Sequence, residues 1–245
     1  MITCKFIMKK SHLAAHSRGK EALLDDDYFR NREGKLVQSD FEANDVLILT
    51  TLITKASRNA IAGIANMVGR DIEVNTANLR QMPAKNVGAM LKNPENILVG
   101  IDLEIQGDAT GHMLLIYPPQ VAYGLVDLLI GNPLGQTTSL EEMEQSAIAE
   151  MGNIAGGFFL NSLSDDTGLR LLPSPPTVKV DKAAAILDGT LKTLISNEST
   201  IFVLQTIFRA QDQQITGNFL VLPTPGLLTA LIKYGAHITP SAVSN

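Results

Sequence analysis

"TGHMLLIYPPQVAYGLVDLLIG" at residues 110–131 and "TGNFLVLPTPGLLTALIKYG" at 216–235 carry one plan twice. Each opens with Thr-Gly, continues as a short apolar strand, meets proline, and ends as an amphipathic helix. The match extends upstream. One long helical stretch leads into "MVGRDIEV" (67–74) and another into "DTGLRLLP" (166–173), with Gly69 and Gly168 where each helix should stop. Self-similarity on this scale organises the chain. Copy one spans about 45–135 and copy two about 139–240, within one domain of residues 45–245. Residues 1–44 stand outside the repeat. They are polar, with "DDD" at 25–27 and "NREGK" at 31–35, and read as an N-terminal extension that is partly disordered.

Each copy reads as the same series of elements. A long helix (45–67; 139–163) is followed by an extended segment (71–76; 169–180) and a short helix (83–92; 181–189). Two alternating strands then form a hairpin (96–106 and 112–117; 200–209 and 216–222), and a last helix closes the unit (119–130; 225–235). Pro119 and Pro225 fall in the first turn of that helix, where a missing N–H is tolerated. The expectation is an α+β (mixed α/β) fold: a tandem duplication with pseudo-twofold symmetry, its helices packed on a central mixed sheet.

Composition narrows the function. Of 245 residues, 45% are hydrophobic and 18% charged, ample for a packed core. The net charge of −5 and the lack of any basic cluster beyond Lys9-Lys10 argue against nucleic acid. Apolar runs such as "VLILTTLI" (46–53) are too short to span a bilayer, and the first residues lack an apolar secretion signal. The single cysteine, Cys4, permits no internal disulfide. These features read as a cytoplasmic soluble protein.

The chemistry gathers on the helix that opens copy two, "SLEEMEQSAIAEMGNIAGGFF" (139–159). Ser139 and Glu142 have capping-box spacing. With Ser146 at zero on a helical wheel, Glu150 falls near ~40° and Asn153 near ~−20°, whereas Ile148, Met151, Ala155, Phe158 and Phe159 gather between roughly 120° and 220°. Ser146, Glu150 and Asn153 therefore share a narrow outward stripe. On spacing alone, a solvated polar face explains such a stripe, and the glycines at 152, 156 and 157 serve close packing.

The residues Ser146, Glu150, Asn153 and Pro176, spaced S-x3-E-x2-N-x22-P, resemble the signature of the CheC/CheX/FliY phosphatases of bacterial chemotaxis. "EMGNIAGG" (150–157) matches that family's preference for glycine around the Asn-Ile pair, and the tandem repeat matches its CheC-like fold. The resemblance covers about 40–240. It implies hydrolysis of the phospho-aspartate of a CheY-like receiver domain. An acyl phosphate is already reactive, so catalysis needs a water held in line and stabilised charge. A carboxamide both donates and accepts hydrogen bonds, which suits Asn153 to orienting that water. A carboxylate beside a phosphoryl group needs a cation between them, and the receiver's active-site lysine supplies one for Glu150. Ser146 is then a partner contact. Pro176 belongs to the motif, but its own context, "PSPPTVKV", reads as a structural stop before an extended segment. The implied partner brings its own Mg²⁺, so the chain itself needs no metal and no cofactor. CheD is a second candidate partner. The competing reading is a non-enzymatic binding module, a CheD-binding adaptor or a domain like that of the flagellar switch protein FliM.

Copy one departs from the pattern. Leu47, Thr51, Thr54 and Ala77 stand where copy two has Ser146, Glu150, Asn153 and Pro176, so the expectation is a single site. Asn59 and Asn66 are out of register and read as helix-solvating. His12 and His16 share a helical spacing without further ligands, and His112 and His237 read as isolated. Met90, Met113, Met143 and Met151 read as core filler.

Overall fold

β2 (Ile97–Gly107) and β3 (Gly111–Tyr117) alternate apolar side chains onto both faces, so the hairpin they form is buried on both sides. Val99, Ile101, Leu103, Ile105, Met113, Leu115 and Tyr117 point into one core; Leu98, Leu114 and Ile116 point into a second. The computed structural model describes residues 42–68, 73–83, 86, 93–194, 200–210 and 213–238. Around that hairpin lie β1 (Glu73–Pro83), β4 (Leu171–Pro173), β5 (Thr177–Lys182), β6 (Thr200–Ala210) and β7 (Gln213–Pro223).

The sheet runs β1-β6-β7-β3-β2, with β4 and β5 both on the outer side of β2. Every described pairing is antiparallel, where a mixed sheet was expected. The pairing reads alike from either side of the central β7–β3 contact: hairpin β6–β7 is flanked by β1, and hairpin β2–β3 by β5.

Among the described residues, four helices cover the larger core: α1 (Ala43–Val68), α2 (Pro119–Ile130), α3 (Glu142–Thr167) and α5 (Pro225–Gly235). One helix, α4 (Ala183–Leu194), covers the other face through Ala183, Ile186, Leu187 and Leu191. The proline starts hold at α2 and α5, and Thr224 Oγ1 accepts the Leu227 N–H at the mouth of α5. The extended segment expected at 71–76 is the strand that runs on to Pro83. Of the helix expected over 83–92, only Pro83, which instead ends β1, and Asn86 are described; residues 1–41, including Cys4, His12 and His16, lie outside the described residues, as do Gly69 and Met90. No helix among the described residues is long and apolar enough to cross a membrane.

Candidate functional site

The approach to α3 is fixed by a buried acid. Asp127 sits at the end of α2 with no exposed surface. Its Oδ2 accepts the N–H groups of Gly135 (2.7 Å) and Gln136 (3.1 Å), and its Oδ1 accepts the Thr137 N–H (2.9 Å) and hydroxyl (2.7 Å). Burial pushes this carboxyl's pKa up. The four hydrogen bonds, led by the Thr137 hydroxyl, outweigh that and hold it below the ordinary carboxylate value. The loop they secure delivers Leu140, half-buried against the core, and α3 begins just after it.

The helix cap differs from the sequence expectation. Glu141, not Ser139, is the N-cap, and Glu144 reaches back to the Glu141 N–H at 3.2 Å. Packing of Leu140 keeps the chain extended through Glu141, so the helix starts at Glu142. It ends where expected, at Gly168, whose φ of 72° is the left-handed conformation glycine adopts without strain.

Two of the three glycines are explained by the sheet beneath. A Cβ on Gly152 would stand 2.6 Å from Ile101 Cγ2, and one on Gly156 would stand 3.0 Å from Leu103 Cδ2 and 3.2 Å from Met113 Cε. Without them α3 could not lie this close to β2. Ile148, Met151, Ala155 and Phe159 are buried as the wheel required, and Phe159 meets Phe219 edge to face at 5.2 Å. Phe158 departs from the wheel. It lies at the margin of the apolar face and turns onto α1, where Gly63 leaves room for its ring, and 46% of it stays exposed.

The opposite side of α3 presents Ser146, Glu150 and Asn153, all exposed. Among the described residues no hydrogen bond or ion pair engages any of these three side chains. Met143 lies on the same side and is 61% exposed, so it is not the core filler that its type suggested; Met113 and Met151 are. Pro176 is half-buried on a different element. It ends the three-residue break between β4 and β5, where the N–H of Ser174 still bonds Glu104 O at 2.9 Å and Ser174 Oγ accepts the Glu104 N–H at 2.9 Å. Proline offers no N–H there, which fits its structural reading.

The corresponding end of α1 holds no such stripe. Leu47 is exposed, and the Thr51 hydroxyl donates to the Leu47 carbonyl at 2.8 Å, one turn back on its own helix. Thr54 is half-buried, and Ala77 falls at a register shift in β1. Asn59 is not helix-solvating: its side-chain amide donates to Ser162 Oγ on α3 at 2.9 Å. Asn66 is exposed. His112 is not isolated either. Its Nδ1 lies 3.1 Å from Asp102 Oδ1, and Thr190 on α4 donates to Asp102 Oδ2 at 3.1 Å. The register places His112 opposite Glu104, so Asp102 is its diagonal neighbour on the same face. His237 is exposed. Among the described residues no three His, Cys, Asp or Glu side chains gather to hold a metal ion.

Against known proteins, the model of the CheC-like family matches residues 143–180, the segment that contains Ser146, Glu150, Asn153 and Pro176. The chain is 29% identical over 169 residues to the CheY-P phosphatase CheC of Bacillus subtilis (strain 168), covering 67% of this chain and 81% of that one. Over that segment and the wider match, the chain is similar to the CheC-like family. Its fold is that of FliY from Thermotoga maritima, with a TM-score of 0.65 at 18% identity over 82% of this chain and all of that one. The FliM middle domain from H. pylori shares it at a TM-score of 0.59 and 11% identity, covering 79% of this chain and 99% of that domain. The Bacillus subtilis relative is a CheY-P phosphatase; the likeness to FliM is one of architecture alone.

Proposed function

We propose that this CheC-like protein hydrolyses the aspartyl phosphate of a CheY-like receiver domain, with α3 as the catalytic helix. The observation that carries this reading is the pairing of Glu150 with Asn153: exposed, three residues apart, and engaged by no described residue. A polar stripe that merely solvates a helix needs no carboxamide at this spacing from a carboxylate.

In this mechanism the Asn153 carboxamide orients one water in line with the phosphorus, donating through N–H and accepting through its carbonyl oxygen. The water oxygen forms a bond to phosphorus as the bond to the aspartyl oxygen breaks. The electron pair leaves on the receiver's carboxylate, the water's proton passes to solvent or phosphate, and inorganic phosphate departs. Glu150 takes no part in bond making. It pairs with the receiver's lysine and so fixes the docking register, and charge attraction between the two is strengthened as water is excluded. Ser146, one turn N-terminal to Glu150, adds a polar contact. By the family resemblance, the Mg²⁺ that would neutralise the phosphoryl oxygens is carried by the receiver. The partner is thus a phosphorylated CheY-like receiver; CheD as a further partner rests on resemblance alone.

The test is phosphate release from a receiver labelled with acetyl phosphate, with the parent, Glu150→Ala and Asn153→Ala proteins. Each substitution should remove most of the acceleration while thermal melting stays within ~0.5 kcal/mol of the parent, as surface changes normally do. No acceleration by the parent protein refutes the enzyme reading and leaves the binding module.

A further inference from the structure

α3 carries three glycines in its middle, and the third has no packing reason among the described residues. Gly152 and Gly156 are needed against Ile101, Leu103 and Met113, whereas a Cβ on Gly157 would meet nothing within 4 Å. Glycine in a helix interior is disfavoured by about 1 kcal/mol against alanine. At Gly157 no packing gain offsets that. On the wheel Gly157 falls at about 20°, between Glu150 and Asn153, one turn C-terminal to Asn153. Helical side chains lean toward the N-terminus, so a side chain at 157 would cover the surface beside the Asn153 backbone. Its absence leaves a shallow notch there; the next residue, Phe158, turns its half-exposed ring onto α1 at Gly63.

We infer that Gly157 is a clearance residue of the docking surface: the backbone loop that bears the receiver's phospho-aspartate seats in the notch it leaves, bringing the phosphorus within reach of the water on Asn153. This rests on the phosphatase reading above and adds a residue outside its motif. The occupant is a receiver, because the notch adjoins a carboxylate and a carboxamide that no described residue engages. An acyl phosphate flanked by a lysine complements both.

Stability and docking predict opposite consequences for one substitution. Gly157→Ala fills open space and improves the helix, so the melting temperature should rise by about 2–4 °C. The same methyl group should weaken affinity for a receiver trapped as its beryllofluoride adduct by about tenfold, and Gly157→Leu by more. On the phosphorylated receiver, KM should rise more than kcat falls. Asn153→Ala, measured alongside, should lower kcat and leave the adduct bound. Parental affinity and KM in both Gly157 variants overturn the inference while the phosphatase reading stands. A parent protein that neither binds nor dephosphorylates the receiver overturns both.

Discussion

Asp127→Asn isolates what the loop before α3 contributes. Each oxygen of Asp127 accepts two hydrogen bonds, so turning one oxygen into an NH2 group removes two acceptor sites and places a donor against donors. In the better orientation the new NH2 faces Thr137, whose hydroxyl can turn to accept it. One backbone N–H is then stranded, and the remaining bonds lose their charge assistance. A stranded buried donor costs about 1–3 kcal/mol and a charge-assisted bond is worth about 1.5–3 against roughly 1 for a neutral one, so the expected loss is about 2–4 kcal/mol. For a chain of this size that lowers the melting temperature by roughly 4–16 °C. The loss should depend on pH in a fixed direction. The folded pKa of Asp127 lies below its unfolded value, so its stabilisation is complete above the unfolded pKa and fades as pH falls through the folded one. The gap between parent and variant should therefore be widest near neutrality and close toward acid. The assay is urea unfolding of both proteins from pH 7 down to pH 3. A gap under about 0.5 kcal/mol at pH 7, or one that does not shrink in acid, refutes the reasoning.

Two further outcomes bear on the proposed role of the stripe. Asn153→Asp should be nearly inactive and bind the phosphorylated receiver more weakly, because the added charge faces phosphoryl oxygens and the N–H donor is gone; near-parental turnover at saturating receiver contradicts water positioning. Thr51→Ala/Thr54→Ala should keep parental phosphate release, since Thr51 bonds its own helix and neither residue offers carboxylate or amide; a loss like that of Asn153→Ala shows a working second site.

Periodicity carried most of the fold. The proline-started helices α2 and α5 and the two hairpins fall where the repeat put them, because alternation and first-turn proline are local properties. What the sequence hid depends on neighbours. Phe158 lies at the margin of the apolar face, and only the placement of α1 decides how much cover it finds; Met143 was read from its type, although its wheel position near ~60° sets it beside Glu150. The His112–Asp102 contact needs the register of β2 against β3, which alternation does not set. Ser139 lost its cap role to Glu141 because burial of Leu140 governs where the helix begins. Asp127 left a readable trace, an acid inside the apolar run "LVDLLI" followed by a loop rich in N–H donors. For the candidate site, three positions on one helix were legible from angle alone; Gly157 was not, because its meaning lies in what fails to surround it.

The helix pair explains how one site can serve without the other. Lys55 pairs with Asp166 at 2.5 Å, Asn59 with Ser162, and Gly63 receives Phe158, so α1 and α3 run antiparallel, four residues against four. Continuing that register, α1 reaches the level of Asn153 at its last residue, Val68, and Glu150 and Ser146 project further along α3. Thr51 lies twelve residues back from Gly63, and Asn153 five residues the other way from Phe158. At 1.5 Å per residue the two ends are roughly 25 Å apart along the pair. One phospho-aspartate cannot engage both, so loss of the stripe on α1 leaves the geometry at Asn153 untouched. These three contacts between α1 and α3 fall between the two ends, on the C-terminal side of the stripe. α1 therefore serves as a brace: it holds the C-terminal half of α3 against the sheet, and the N-terminal half leaves Ser146, Glu150 and Asn153 exposed, as the proposed docking requires.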